Sequence, residues 1–121
     1  MMHSENRGML KDRLRVVLIE QARTGEPVTY RELADRLGLT PPQTIHRVAQ
    51  ALEVLMAEDV MAGRPLLAAL CVSRLQHRLP ARGFFVTVKA LGVFAGDPEG
   101  SETRIFHERE FQRTLALYDA A

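Results

Sequence analysis

Between Thr29 and Thr40 the chain carries two helix starts with a glycine between them, and that pair restricts its fold more than any other feature. Thr29-Tyr30-Arg31-Glu32 has the reciprocal capping pattern, in which a hydroxyl and a side chain three places on satisfy each other's orphan amides. The pattern predicts a short helix to Leu37, ended by Gly38. Thr40-Pro41-Pro42-Gln43 has the same form, with Pro41 at a first helical position, where its missing N–H costs nothing. The second helix, opened by Pro41, is expected to bury Ile45, Val48, Leu52 and Leu55, and to leave Gln43, Thr44, His46, Arg47 and Gln50 on other faces. Ala34 is small enough for the second helix to approach, Gly38 suits a left-handed turn, and Leu33 and Leu37 would seal the junction. The segment at about 29–57 is thus expected to be a helix-turn-helix. Its second helix would offer Gln43, Thr44, His46, Arg47 and Gln50 to a DNA groove, although such helix pairs also serve as protein–protein modules.

The remaining elements are expected to pack around this pair. From Met9 to Arg23, Leu10, Leu14, Val17, Leu18 and Ala22 recur at helical spacing, and Thr24-Gly25-Glu26-Pro27 ends the run. After Asp59 the periodicity fails, and Gly63-Arg64-Pro65 introduces the apolar run Leu66 to Val72, whose length suits a buried strand. Ser73 to Arg82 is polar and basic and reads as an exposed loop or a hairpin. From Gly83 to Phe94 helix and strand compete, and the spacing of Phe84, Val88 and Leu91 favours helix. Gly96 to Ser101 is a turn-rich break, and a last helix follows at about 103–118 with Phe111, Leu115 and Tyr118 on one face. The expected architecture is one domain over 1–121, mainly α with a small β element. It is winged-helix-like, with the strand or wing and its following helix at about 63–96, and helices added at both ends.

Charge narrows the choice of partner. The net charge is +1, so no cationic tail or strongly basic surface supports nucleic-acid binding by itself. The distribution is uneven, however. Residues 1–59 hold eight Lys/Arg against nine Asp/Glu and residues 97–121 hold three against six, while residues 60–96 hold five basic residues and no acid. Those five are Arg64, Arg74, Arg78, Arg82 and Lys89, with His77 among them. Such a stretch suits a phosphate-facing surface, or is an apolar core segment with scattered arginines. Cys71 is the only cysteine, which points to a reducing cytoplasm. The absence of an apolar leader or of a long apolar window predicts neither a signal peptide nor a membrane span.

A more specific resemblance emerges from Val28-Thr29-Tyr30-Arg31-Glu32-Leu33-Ala34, Arg47-Val48-Ala49-Gln50-Ala51-Leu52, Arg64 to Val72, Gly83-Phe84 and Lys89. Together these resemble the DNA-binding domain of alkylguanine-DNA alkyltransferases and the related alkyltransferase-like proteins, over roughly residues 24 to 100. The resemblance implies a Tyr30 that abuts the DNA backbone, and an intercalating position at His46 with Arg47 one place along. It also implies an acceptor strand at Ala68-Ala69-Leu70-Cys71, where the family has Pro-Cys-His-Arg. Ala69 stands in place of the thiol and Leu70 in place of the histidine. Cys71 comes two residues late, an even offset that would keep it on the same face of a strand, and Lys89 matches a lysine after the Gly-aromatic pair.

Chemistry at these positions is therefore not expected. Alkyl transfer needs a thiolate, and an apolar strand raises rather than lowers the pKa of Cys71; a packing cysteine explains it better. His3, His46, His77 and His107 have no spacing that presents two ligands on one helical turn, so no metal is expected. No glycine pattern matches a phosphate loop, so no nucleotide cofactor is expected either. Glu108 and Glu110 read as a solvated face with Arg109 and Arg113. The expected function is non-enzymatic binding of double-stranded DNA, with sensing of a distorted or modified base as an extension of the resemblance. Phosphate contacts would come from Tyr30, Arg74, Arg78 and Arg82, and groove contacts from Gln43, Thr44, His46, Arg47 and Gln50. Tyr30 is also explained as a helix-start aromatic packing on its neighbour with its hydroxyl wet. The competing expectation is a protein-interaction module that dimerises or docks through the C-terminal helix, using Phe106, Phe111, Leu115 and Tyr118.

Overall fold

The structure, a computed structural model, describes residues 2–74 and 78–118, with side chains from residue 9 onward. His77 of the basic stretch lies outside the described residues. The elements are α1 (Met2–Thr24), β1 (Val28–Thr29), α2 (Tyr30–Arg36), α3 (Thr44–Ala62), a 3-10 turn (Leu67–Leu70), β2 (Cys71–Val72), α4 (Arg82–Ala90) and α5 (Glu102–Tyr118). The protein is mainly helical with a small two-strand parallel sheet.

Local sequence explains most boundaries. Helix α1 buries Leu14, Leu18 and Ala22, keeps Leu10 and Val17 half-buried, and ends at Gly25, whose φ of 76° needs a residue without a Cβ. The capping pattern at Thr29 forms as expected: Glu32 N–H donates to Thr29 Oγ1 at 3.1 Å, and Thr29 N–H donates to Glu32 Oε1 at 2.9 Å. Helix α2 then closes with the Gly38 N–H bonded to Asp35 O and the Leu39 N–H to Ala34 O, each at 3.0 Å, with Gly38 left-handed at φ 69°.

The second capping pattern does not form. Gln43, not Thr40, is the residue before the helix; it sits at φ 58° and makes no side-chain cap, and α3 begins at Thr44. Pro41 therefore precedes the helix rather than opening it, and the turn from Gly38 to Gln43 is longer than expected. This shift also corrects Ile45, which is 45% exposed at the start of α3, while Val48, Leu52 and Leu55 are buried as expected.

The expected strand Leu66 to Val72 is a 3-10 turn followed by two strand residues. Its apolar side chains are all buried, so the run is a core segment as expected, but its backbone coils before it extends. Short apolar runs give burial without giving period, which is why length alone misassigned it. Cys71 and Val72 pair in parallel with Val28 and Thr29, in the register Val28↔Cys71 and Thr29↔Val72. Ala69 lies in the turn and Cys71 in the strand, so the two do not share a face by alternation. Helix wins between Gly83 and Phe94, ending at Ala90 with Gly92 left-handed just beyond, and Phe84, Phe85 and Val88 face the core.

Helix α5 carries the largest surprise. Its buried positions are polar: Thr103, His107, Glu110 and Thr114, spaced as one face of a helix. Thr103 Oγ1 donates to Gly100 O at 2.8 Å, and the other three lie against the segment around the 3-10 turn, whose backbone needs partners that neither strand nor α-helix supplies. Glu110 Oε1 accepts from Leu66 N–H at 3.3 Å, Thr114 Oγ1 donates to Leu66 O at 2.8 Å, and His107 Nε2 lies 2.8 Å from Ala69 O. From the other side, buried Asp59 of α3 accepts from Leu67 N–H at 3.2 Å and holds Arg15 and Arg64. Glu110 is thus an interior acceptor, not part of a solvated face. Phe106, Phe111, Leu115 and Tyr118 pack on the core of their own chain, while Ile105 and Leu117 are the exposed apolar residues of α5.

Candidate nucleic-acid interface

The site is built where β1 hands over to α2. Because β2 pairs with β1, the chain leaving Val72 emerges beside Thr29 and the first turn of α2. Ser73 N–H donates to Leu79 O at 2.7 Å, Pro80 is buried, and Ala81 N–H donates to the Tyr30 hydroxyl at 3.0 Å. The basic loop is therefore fixed at its neck, with its two ends held against each other and against α2. Arg74 and Arg78 project from it, both exposed, and Arg78 adopts φ 64°. They line a notch of about 440 Å³ together with Thr29, Glu32, Val72 and Ser73.

Tyr30 is half-buried, and its hydroxyl oxygen is already an acceptor for the loop backbone, so its geometry is that of a clasp holding the loop. Burial pushes its phenol pKa up, keeping it protonated across the physiological range. Arg82 turns away from the notch: Nε lies 2.7 Å from Glu99 Oε2, an exposed ion pair across the loop that follows α4. Of the four expected phosphate contacts, the structure brings Arg74 and Arg78 together, places Tyr30 behind them, and pairs Arg82 elsewhere.

Gln43, just before α3, and His46 and Gln50 on it are exposed, and Thr44 is half-buried. Arg47 is half-buried because its guanidinium donates to Thr40 O at 3.0 Å and Pro42 O at 3.4 Å, fixing the turn that precedes α3. Arg47 and Gln50 also border a second, larger groove between the start of α1 and the outer side of α3, with Met9, Leu39, Val54 and Met61. Met61 is 88% exposed and Met9 61%, so two methionines project at this groove, which Lys11, Arg13, Glu53 and Glu58 also line.

Glu32 and Thr29, expected only as a helix cap, also line the notch. Glu32 lies below the usual carboxylate range, held there first by the Thr29 N–H and then by the Thr29 hydroxyl, with Arg74 and Arg36 adding to it. The signal for its second role, its nearness to Arg74, depends on β1–β2 pairing across 43 residues of chain (71 − 28) and has no local signature. Cys71 is buried and its thiol is pushed well up, first by burial and then by the charge of Glu32. Ala69 is fully buried. Among the described residues no group of three or more His, Cys, Asp or Glu is placed to hold a metal ion, and no helix is long and apolar enough to cross a membrane. Comparison with protein-family models, curated proteins and solved structures finds no match to the chain.

Proposed function

We propose that the protein binds double-stranded DNA without catalysing a reaction on it, using α2 and α3 as a helix-turn-helix and the neck-fixed basic loop in the position of a wing. The observation that carries this reading is the joint placement of two elements. Helix α3 and the residue before it present Gln43, His46 and Gln50 to solvent, and a loop bearing Arg74 and Arg78 is clasped to the start of α2. Exposed amides and an imidazole suit base edges, and the two guanidiniums suit phosphates. In this reading Arg47 orders the turn before α3 as well as facing the groove, and Tyr30 sets the loop rather than touching phosphate.

The likeness to alkyltransferase-like proteins extends the proposal to sensing of a distorted or modified base. Repair by alkyl transfer is not proposed: Ala69 has no nucleophile, and the Cys71 thiol is buried and held protonated. Alkylated guanine in DNA is expected to leave no label on the protein at stoichiometric concentration, and label on the Cys71 peptide in a mass spectrum would reverse this. The primary test is a gel shift with duplex DNA over a salt series. Affinity that falls as salt rises supports the proposal, and the absence of any shift at low salt removes it.

A second reading, a protein-docking module, is favoured by one observation: the groove between α1 and α3, with Met9 and Met61 projecting. It would leave Arg74 and Arg78 without effect on function, which separates it from the first.

A further inference from the structure

We infer that the notch between the first turn of α2 and the basic loop is a binding site for a single phosphate group, tuned downward in affinity by Glu32. The inference rests on the nucleic-acid reading only for the source of the phosphate; the site itself rests on its own geometry. Arg74 and Arg78 line one recess, and among the described residues neither guanidinium closes an ion pair, whereas Arg82 does. Two arginines on the rim of one recess carry the planar, multi-donor groups that phosphate recognition uses. The described ends of the loop are tied to the opposite wall, Val72 through the β1–β2 pairing and Ala81 through its hydrogen bond to Tyr30. The volume of the recess, about 440 Å³, exceeds what a phosphate alone needs and leaves room for the sugar that carries it.

Glu32 is the only acid in the lining, and it sets the sign of the sharpest test. Two arginines against one carboxylate leave a single net positive charge in the notch (2 − 1 = 1). The carboxylate serves the helix cap through Oε1 and repels an incoming anion through its charge. Glutamine keeps the capping geometry without that charge. The Glu32→Gln variant is therefore expected to bind phosphate more tightly while folding normally, an outcome that a purely structural role for Glu32 does not produce.

The experiment titrates the full chain with inorganic phosphate at constant ionic strength, followed by amide chemical shifts around Thr29, Ser73 and Arg74, with melting temperature measured for each variant. Saturable shifts are expected in the unsubstituted protein. Arg74→Ala and Arg78→Ala should each weaken binding by about ten-fold, Glu32→Gln should strengthen it roughly three-fold, and Arg23→Ala, outside the notch, should leave it unchanged. Equal phosphate affinity in all variants, or no saturation in any, overturns the site. A short duplex run through the same variants identifies the source. The same rank order for duplex and free phosphate assigns the notch to the DNA backbone. Phosphate binding that follows the notch variants without any duplex binding keeps the site and removes the DNA reading. Duplex binding indifferent to all three notch substitutions, with phosphate binding that follows them, keeps the site and assigns it to a phosphate other than the DNA backbone.

Discussion

The underside of the 3-10 turn and the face formed by α2 and the basic loop treat polar side chains in opposite ways. Under the turn, Asp59, His107, Glu110 and Thr114 are buried and each is spent on a named backbone group of residues 66–69. Among the described residues no buried side-chain polar atom is left without a hydrogen-bond partner. On the α2 face Arg74 and Arg78 are exposed, and so are Gln43, His46 and Gln50 at the start of α3. Polar groups that answer a buried backbone cannot be changed without leaving that backbone unsatisfied, so the first region should govern stability. The second region holds polar groups that answer nothing in the interior, so substitutions there should move binding and leave stability nearly unchanged.

The largest expected effect comes from Asp59→Ala. The carboxylate is completely buried and joins α1 through Arg15, the segment after α3 through Arg64, and the turn through Leu67 N–H. Removing it strands the Leu67 amide, takes from Arg64 its partner and leaves Arg15 with Glu58 alone, at a cost of about 3 kcal/mol, the low end for broken buried pairs. Urea unfolding followed by far-UV dichroism checks this; a loss under ~1 kcal/mol would show that the network is not what holds the turn. Thr114→Val is the milder version. It leaves Leu66 O without its 2.8 Å donor while preserving shape, for about 1–3 kcal/mol.

Acid should act on the same region. Ala69 O can only accept, so the proton of His107 sits on Nε2, and burial lowers the imidazole pKa below its ordinary 6.5. A lowered folded value means the native state favours the neutral ring. Its contribution to stability is present above pH 6.5 and is lost as the pH falls through the lowered value. Glu58, lowered by Lys11 and then Arg15, adds a second loss below its ordinary 4.5. The urea midpoint is expected to drop first in the upper of these windows, and His107→Gln, which retains a donor for Ala69 O, should flatten that drop while leaving the lower one.

How much of this contrast was legible follows the range of the interactions. The Thr29–Glu32 cap, the Gly38 stop and the buried faces of α1 and α4 depend on residues a few places apart, and each took the expected form. The failures have two sources, a turn that ends in a left-handed residue and contacts between distant segments. Pro41 suggested a helix start, but the turn from Gly38 runs on to Gln43. Glu110 looked solvated beside Arg109 and Arg113 because nothing local announces that α5 will lie on residues 66–69, and the polar spacing of Thr103, His107, Glu110 and Thr114 was the overlooked signal. Arg74 and Arg78 were legible as a basic loop, but their meeting with Glu32 was not, since it follows from two-residue strands paired across the chain.

Tyr30→Phe tests the border between the two regions. Its hydroxyl is the only part of the ring that touches the loop neck by a hydrogen bond, to Ala81 N–H. Losing it should cost about 1 kcal/mol of stability. It should also raise amide exchange at Ser73 and Ala81, and weaken duplex binding two- to three-fold through a less ordered loop. Weakened binding with unchanged exchange would instead return Tyr30 to direct phosphate contact.

The smallest stability effect, and the sharpest separation, is expected from Arg78→Gly. Arg78 sits at φ 64°, a conformation that costs a residue with a Cβ about 1 kcal/mol and glycine almost nothing. Against that relief stands the greater backbone freedom of glycine in the unfolded chain, worth about 0.5–1 kcal/mol. The two nearly cancel, so the melting curve should shift little or move slightly upward. Duplex affinity should nevertheless fall about ten-fold, and the slope of log affinity against log salt should shrink by roughly one. A non-glycine residue at positive φ that contributes nothing to stability is a place to look for a use of its side chain. Unchanged duplex affinity in Arg78→Gly would remove that use, and with it the contrast between an interior that spends its polar groups and a face that holds them out.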